Sequence, residues 1–189
     1  MLAYLCVIHN HDDDLRLRRI VNNPPRGIGD ATMDKAAAIA AEEGRSLWSV
    51  LVDAGSYPEL QRAAPRLGQF TALIGGLTGL SQTMPLPEFY TEVVARTGYA
   101  AMLQAKNDIE SRSRLENVQE LATSINGYLE NVEGEPSLAG FLDEIALYTD
   151  LDNHDPNEDA VVMMTMHSAK GLEFPVVFVV GMEEGIFPG

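Results

Sequence analysis

Apolar residues recur at helical spacing along most of the chain. Residues 1–10 carry Leu2, Leu5 and Ile8 and read as the end of a helix. The acidic turn Asp12-Asp13-Asp14 then supplies a cap for a second helix over residues 15–21. Asn22-Asn23-Pro24-Pro25 stops it, because a proline disfavours helical geometry in the residue before it. A third helix is predicted over 32–43 with Gly44 as its C-cap, and a short one over 46–52 carrying Trp48. Residues 55–68 are turn-rich. Periodicity resumes over 67–80, weakened by Gly75-Gly76, then over 88–97 up to Gly98, and briefly over 99–103. The longest predicted helix, 109–128, is apolar at 115, 118, 121, 122 and 125. Ser137 caps a last helix running to about residue 148.

The pattern changes after a polar, acidic stretch at 150–159. Residues 160–166 and 175–181 are apolar and β-branched on consecutive positions, which predicts strands buried on both faces. The expected fold is therefore mainly α, with a short C-terminal α/β piece.

Charge divides the 189 residues unevenly. The formal net charge is −15, which argues against a protein that binds nucleic acid over its whole surface. Up to residue 129 there are 12 basic and 15 acidic residues; beyond it, 13 acidic residues face the single Lys170. Within the near-neutral part Arg16, Arg18, Arg19 and Arg26 form a local cluster. The composition, 46% hydrophobic, is that of a globular chain and not of a disordered or disulfide-built one. One cysteine, Cys6, allows no internal disulfide and fits a reducing compartment. It sits on an apolar helix face and reads as packing. Trp48, Tyr57 and Phe70 read as core, and His9, His11 and His154 lack ligand-spaced partners, so no metal site is expected. No signal peptide and no apolar run long enough for a bilayer is visible, so no membrane association is expected and the expected location is cytoplasmic.

Two stretches carry chemistry. Thr165-Met166-His167-Ser168-Ala169-Lys170-Gly171-Leu172-Glu173-Phe174 lies between the two predicted strands, where open parallel sheets place ligand-binding loops. Thr165, His167, Ser168 and Lys170 offer donors suited to phosphates, Gly171 permits close backbone approach, and Glu173 can accept from a sugar hydroxyl. A polar strand-to-helix loop with no ligand fits the same residues. The other stretch is Pro24-Pro25-Arg26-Gly27-Ile28-Gly29 with Thr32. A Gly-apolar-Gly turn presents successive backbone N–H groups, and the helix after it adds a positive N-terminus. Ile28 is expected to tuck inward as the anchor of the turn. A plain tight connection between helices fits as well.

The first stretch resembles, position for position, motif V of superfamily 1 DNA helicases of the UvrD/PcrA/Rep type. The tail Val176-Val177-Phe178-Val179-Val180-Gly181-Met182-Glu183-Glu184-Gly185-Ile186-Phe187-Pro188 continues the same pattern. Asp12-Asp13-Asp14-Leu15 through Gly27-Ile28-Gly29 is similar to the start of that family's 2B subdomain, and Ser113 to Leu121 resembles its long 2B helix. His11 and Pro25 depart from the pattern, standing where a Pro and a Lys are common, so one phosphate contact is missing.

By that resemblance, residues 1–14 are the edge of a RecA-like domain, 2A, and 15–150 a helical 2B-like subdomain with a helix-hairpin-helix-type turn at 24–32. Residues 151–159 are an acidic linker and 160–189 the returning 2A strands with motif V. Thr165, His167 and Ser168 would contact single-stranded DNA, Glu173 the ribose of ATP, and Lys170 and Gly171 would couple the two sites. Arg26, Gly27, Ile28, Gly29 and Thr32 would meet duplex DNA. The chain is expected to be a fragment of an ATP-dependent 3′→5′ DNA helicase of DNA repair or replication restart, acting in the cytoplasm at the nucleoid. The GxxxxGK[ST] loop is absent from the sequence, so ATP and Mg²⁺ belong to the longer protein and the isolated chain is expected to be catalytically inactive. Its expected partners are DNA at a junction, the RecA-like domains of the same chain and repair proteins. The apolar strands, deprived of their sheet, would pair with each other, disorder, or drive a fragment dimer. Two other readings remain open: a non-enzymatic DNA-binding or protein-interaction module, and a helicase-nuclease subunit of the RecB or AddA kind.

Overall fold

The computed structural model describes residues 1–152, 161, 163, 169 and 173–180. Nine α-helices fill the described chain: α1 (Leu2–His9), α2 (Asp14–Val21), α3 (Asp30–Glu43), α4 (Leu47–Val52), α5 (Ala64–Ser81), α6 (Leu86–Thr97), α7 (Tyr99–Lys106), α8 (Ile109–Asn131) and α9 (Leu138–Asp152). A single 3-10 turn, Ala54–Ser56, follows α4. The chain divides into two compact units, Met1–Glu144 and Ile145–Gly189.

Local signals fix the helix ends. Asp13 accepts the Arg16 amide at 3.0 Å and Asp108 that of Ser111 at 2.7 Å, each quenching an amide the helix leaves open. Ser46 and Ser137 cap α4 and α9 in the same way, accepting the Ser49 and Gly140 amides at 3.3 and 3.1 Å. Gly44 and Gly98 close α3 and α6 in the left-handed region, with φ of +63° and +71°.

Helix α5 is the axis of the first unit. It packs against α1, α4 and α6, while α7 and α8 pack on α6 and on each other. Its buried Leu67, Phe70, Thr71, Ile74 and Leu77 keep 3.6-residue spacing straight through Gly75 and Gly76. A Cβ at either glycine would meet nothing within 4 Å, so they lie on the open side and leave the buried stripe unbroken. The helix starts three residues earlier than the pattern predicts, because Pro65 fits a first turn where no N–H is needed. Helix α1 packs on α2 and α5 and is part of this core. Its Tyr4, Leu5, Val7 and Ile8 are at most 2% exposed. On the far side Phe141 packs against the Tyr128 ring at 5.7 Å.

In the second unit α9 runs to Asp152, beyond the predicted end near 148. The described part of the predicted strand 175–181 is not a strand. Residues 175–180 are irregular, with Val176 69% and Phe178 85% exposed. A strand needs a neighbour for its N–H and C=O groups, and among the described residues none lies beside it. The rest of that prediction, and the strand over 160–166 apart from the exposed Val161 and Met163, falls outside the described residues. No helix among the described residues is long and apolar enough to cross a membrane.

Candidate nucleic-acid interface

The turn between α2 and α3 is built by one side chain that no motif marks. Asn22, just past the end of α2, accepts the Arg26 amide at 2.7 Å and the Ile28 amide at 3.2 Å on its Oδ1. This Asx-type link folds residues 22–28 back on themselves. Gly27 takes φ +69°, a conformation open to glycine at little cost, and Gly29 is the N-cap of α3. Ile28 points inward and is 1% exposed, anchoring the turn in the core.

The amides divide accordingly. Those of Arg26 and Ile28 are taken by Asn22, and the Thr32 amide bonds the Gly29 carbonyl at 2.9 Å. Among the described residues, the amides of Gly27, Gly29, Asp30 and Ala31 have no acceptor. Three of these belong to the start of a 14-residue helix, whose dipole favours an anion there.

Arg26, expected to meet duplex DNA, has its guanidinium engaged within the protein. Its Nη1 donates to the carbonyls of Ile20 and Pro24 at 3.0 and 3.2 Å. Its Nη2 donates to the Tyr4 hydroxyl at 2.8 Å and the Thr97 carbonyl at 3.1 Å. The guanidinium also lies 5.5 Å from the centre of the Phe70 ring. One side chain thus ties α1, the end of α2, the turn, α5 and the end of α6. The Tyr4 hydroxyl in turn donates to the Asn23 carbonyl at 2.6 Å; burial pushes its pKa up, and Arg26 partly offsets this. Two others of the arginine cluster are also engaged: Arg16 pairs with Asp13 within the α2 cap, and Arg18 with Asp34 of α3 at 2.8 Å, while Arg19 is exposed.

The cations that do surround the turn come from elsewhere. Gly27 and Thr32 line an open cleft of about 270 Å³ together with Lys35, Arg62 and Arg66. Glu59 and Ala63 complete it. Arg66 Nη1 donates to the Gly27 carbonyl at 3.3 Å, and a Cβ on Gly27 would sit 3.3 Å from Arg66 Nε. Nothing in the sequence joins Lys35 to Arg62 and Arg66; only the packing of the α3 start against the entry to α5 does so.

Of the candidate residues in the Thr165–Phe174 stretch, Glu173 is described and exposed. Thr165, His167, Ser168, Lys170 and Gly171 lie outside the described residues. Two aromatic expectations need correcting. Tyr57 is a surface hub, its hydroxyl 2.7 Å from both Arg45 Nη1 and a Glu43 carboxylate oxygen. Trp48 is half-buried and stacks on His11 with ring centres 4.2 Å apart. Phe70 is core, at 1% exposure. Cys6 is half-buried and burial pushes its thiol pKa up, the opposite of an activated nucleophile.

Comparison with known proteins places these features in context. Residues 1–189 match the family described as UvrD-like helicase C-terminal domain. The chain is 39% identical, over its whole length, to the ATP-dependent DNA helicase PcrA of Bacillus subtilis (strain 168). It is 40% identical over its whole length to the ATP-dependent DNA helicase PcrA of Staphylococcus aureus (strain Mu50). In both cases it spans only 26% of the relative.

Proposed function

This chain belongs to the UvrD-like helicase C-terminal domain family, and on that premise we propose that it is the duplex-contacting part of a longer ATP-dependent 3′→5′ DNA helicase of repair or replication restart. The observation that carries the reading is the Gly27–Ile28–Gly29 turn. Its apolar residue is buried, its glycines are exposed, and four amides at or beside the α3 N-terminus have no acceptor among the described residues. Such a surface takes a backbone phosphate without needing positive net charge, because the donors are peptide groups. It reads no base edge, so the contact is independent of sequence, as a helicase requires.

In this reading residues 15–150 form the 2B-like subdomain and 160–189 return to the RecA-like domain. Thr165, His167 and Ser168 hold the single strand; Lys170, Gly171 and Glu173 connect that contact to bound ATP. Gly27, Gly29 and Thr32 meet the duplex, and Ile28 holds the turn from behind. The nucleotide itself does not fit this chain alone. There is no GxxxxGK[ST] loop to cradle phosphates, and Glu173, the one described residue assigned to ATP, is a lone exposed carboxylate. ATP and Mg²⁺ are held elsewhere in the longer protein, whose RecA-like domains and repair partners complete the assembly at the nucleoid.

The test is a fluorescence titration of a labelled duplex with a single-stranded tail against the chain. Gly27→Asp with Gly29→Asp places carboxylates over the amides and is expected to abolish duplex binding. Unchanged affinity would remove the turn from the interface.

A further inference from the structure

Helix α5 is the axis of the first unit, yet its last two turns are built unlike the rest. Residues 75–81 read Gly-Gly-Leu-Thr-Gly-Leu-Ser. Neither conformation nor space requires these glycines. All are exposed, a Cβ on Gly75, Gly76 or Gly79 would meet nothing within 4 Å, and none takes a positive φ. Gly27 of the turn differs in both respects, with φ +69° and Arg66 Nε 3.3 Å from its would-be Cβ. In a helix interior glycine is less stable than alanine, because its unfolded chain has more freedom to lose.

Little in these turns offsets that cost. The earlier part of α5 buries Leu67, Phe70, Thr71 and Ile74, whereas beyond Ile74 only Leu77 is buried. No charged residue stands between Arg66 and Glu88, so no ion pair along the helix supports the segment. Thr78 and Ser81 turn their hydroxyls back onto carbonyls of the preceding turn, at 3.1 Å to Ile74 and 2.8 Å to Thr78. Such back-bonding competes with the helix ladder and bends it.

The weak turns carry a latch. Thr78 Oγ1 lies 3.2 Å from the Ile8 carbonyl, in the last turn of α1, and 2.9 Å from His11 Nε2. Its one proton goes to a carbonyl, of Ile8 or Ile74, so the ring nitrogen is the donor to Thr78. The end of α1 and the connector to α2 thus both hang on a side chain set between Gly76 and Gly79. The start of α1 is held separately, by Tyr4 on Arg26 and on the Asn23 carbonyl.

We propose that residues 75–81 of α5 form a release segment. They open together while the rest of the first unit stays folded, and in opening they let go of Ile8 and His11 through Thr78. The glycines set how often this happens, and the Arg26 brace keeps the start of α1 in place when it does. The device is independent of the duplex reading, since none of its residues lies in the Gly27 turn or in the cleft beside it.

The experiment is amide hydrogen exchange of the 189-residue chain, followed by NMR at urea concentrations below unfolding. A separate opening is expected to leave residues 77–81 roughly tenfold less protected than 70–74, with a shallower dependence on urea. The Asn10 amide, bonded to the Cys6 carbonyl at 2.8 Å, is expected to open with them. Gly76→Ala is expected to raise protection of 77–81 and of Asn10 about two- to fivefold. Gly75→Ala, Gly76→Ala and Gly79→Ala together are expected to raise it roughly 10- to 100-fold. In a Thr78→Val background the same three changes are expected to protect 77–81 but no longer Asn10. Equal protection and equal urea dependence over 70–81 would overturn the segment, because the helix then opens only as a whole. Lower protection in the alanine variants would overturn it too, by showing that the fold needs the glycines. An Asn10 amide that ignores the alanine changes with Thr78 in place would overturn the latch.

Discussion

Removing the Arg26 guanidinium should loosen the fold before it touches DNA. Four of its hydrogen bonds are between 2.8 and 3.2 Å, three to carbonyls and one to the Tyr4 hydroxyl. A hydrogen bond to a charged group contributes roughly 1.5–3 kcal/mol, but bonds made by one side chain do not add. Deleting Arg26 leaves three carbonyls and a hydroxyl without this donor, at roughly 1–3 kcal/mol for each that stays buried, or about 3–5 kcal/mol together because the losses do not add. The low end applies, because water can reach a side chain that is only half-buried. Arg26→Ala should therefore lose about 3 kcal/mol, or roughly 6–12 °C of midpoint in a unit of this size. Arg26→Lys should lose about 2 kcal/mol, since an ammonium cannot span acceptors on α1, the turn and α6 at once. Trp48, the sole tryptophan, lies within the same unit and reports unfolding by fluorescence in urea. A double-mutant cycle between Tyr4→Phe and Arg26→Lys should show coupling of about 1 kcal/mol. A loss below 1 kcal/mol for Arg26→Ala would refute the brace. If that variant also reduced the salt slope of duplex binding by one, Arg26 would belong on the DNA face after all.

Two other perturbations follow from the same packing. Ile28→Ala empties an anchor that is 1% exposed and should cost about 2–4 kcal/mol in urea unfolding, with duplex affinity falling only where the turn itself loosens; a loss under 1 kcal/mol would mean that the turn holds without it. His11 gives the chain a pH dependence: its Nε2 lies 2.9 Å from the Thr78 hydroxyl, its ring stacks on Trp48, and burial lowers its pKa below the usual 6.5, only partly offset by Asp12. The neutral ring is favoured in the folded state, so this stability is fully present above pH 6.5 and is lost as pH falls from there towards the folded value. His11→Gln should flatten the stability difference between pH 7 and pH 5.5 relative to the parent, and equal pH profiles for the two proteins would refute the linkage.

The helices were legible because their signals are local. Asp13, Ser46, Gly44, Gly98 and Ser137 act on amides or carbonyls within one turn, and the apolar spacing of α5 survives two glycines because both lie on its open side. The buried place of Ile28 was legible for the same reason: an apolar residue between two glycines has little choice but to point inward. What the pattern could not supply was direction and distance. Arg26 stands next to the turn in sequence, yet its side chain runs back to Tyr4 and Thr97, 22 and 71 residues away. Arg62 and Arg66, in a stretch that reads only as turn-rich, arrive at the turn through the packing of α5. The apolar run at 175–180 shows the reverse limit, since a strand pattern specifies β structure only when a neighbouring strand is there to complete it.

Net charge and contact chemistry act at different ranges, and the chain separates them. The sum of −15 sets the long-range field and would slow the approach of any polyanion, an effect that salt screens over about 8 Å at physiological ionic strength. A phosphate at the turn, as proposed, would feel mainly the nearest groups: peptide amides and three cations that have no acceptor or ion-pair partner among the described residues, and one carboxylate. Acidic repulsion at a distance and basic attraction at contact together favour weak binding that is quickly released. On the proposed reading, a tightly held duplex would impede unwinding by the longer protein, and an acidic body with a small basic seat makes a guiding contact. Placing further arginines on the surface would raise affinity, but through the same counterion release it would also lengthen every encounter. The pairing of Arg16 and Arg18 with carboxylates, and the inward turn of Arg26, leave Arg19 as the one exposed member of that cluster without an ion pair among the described residues.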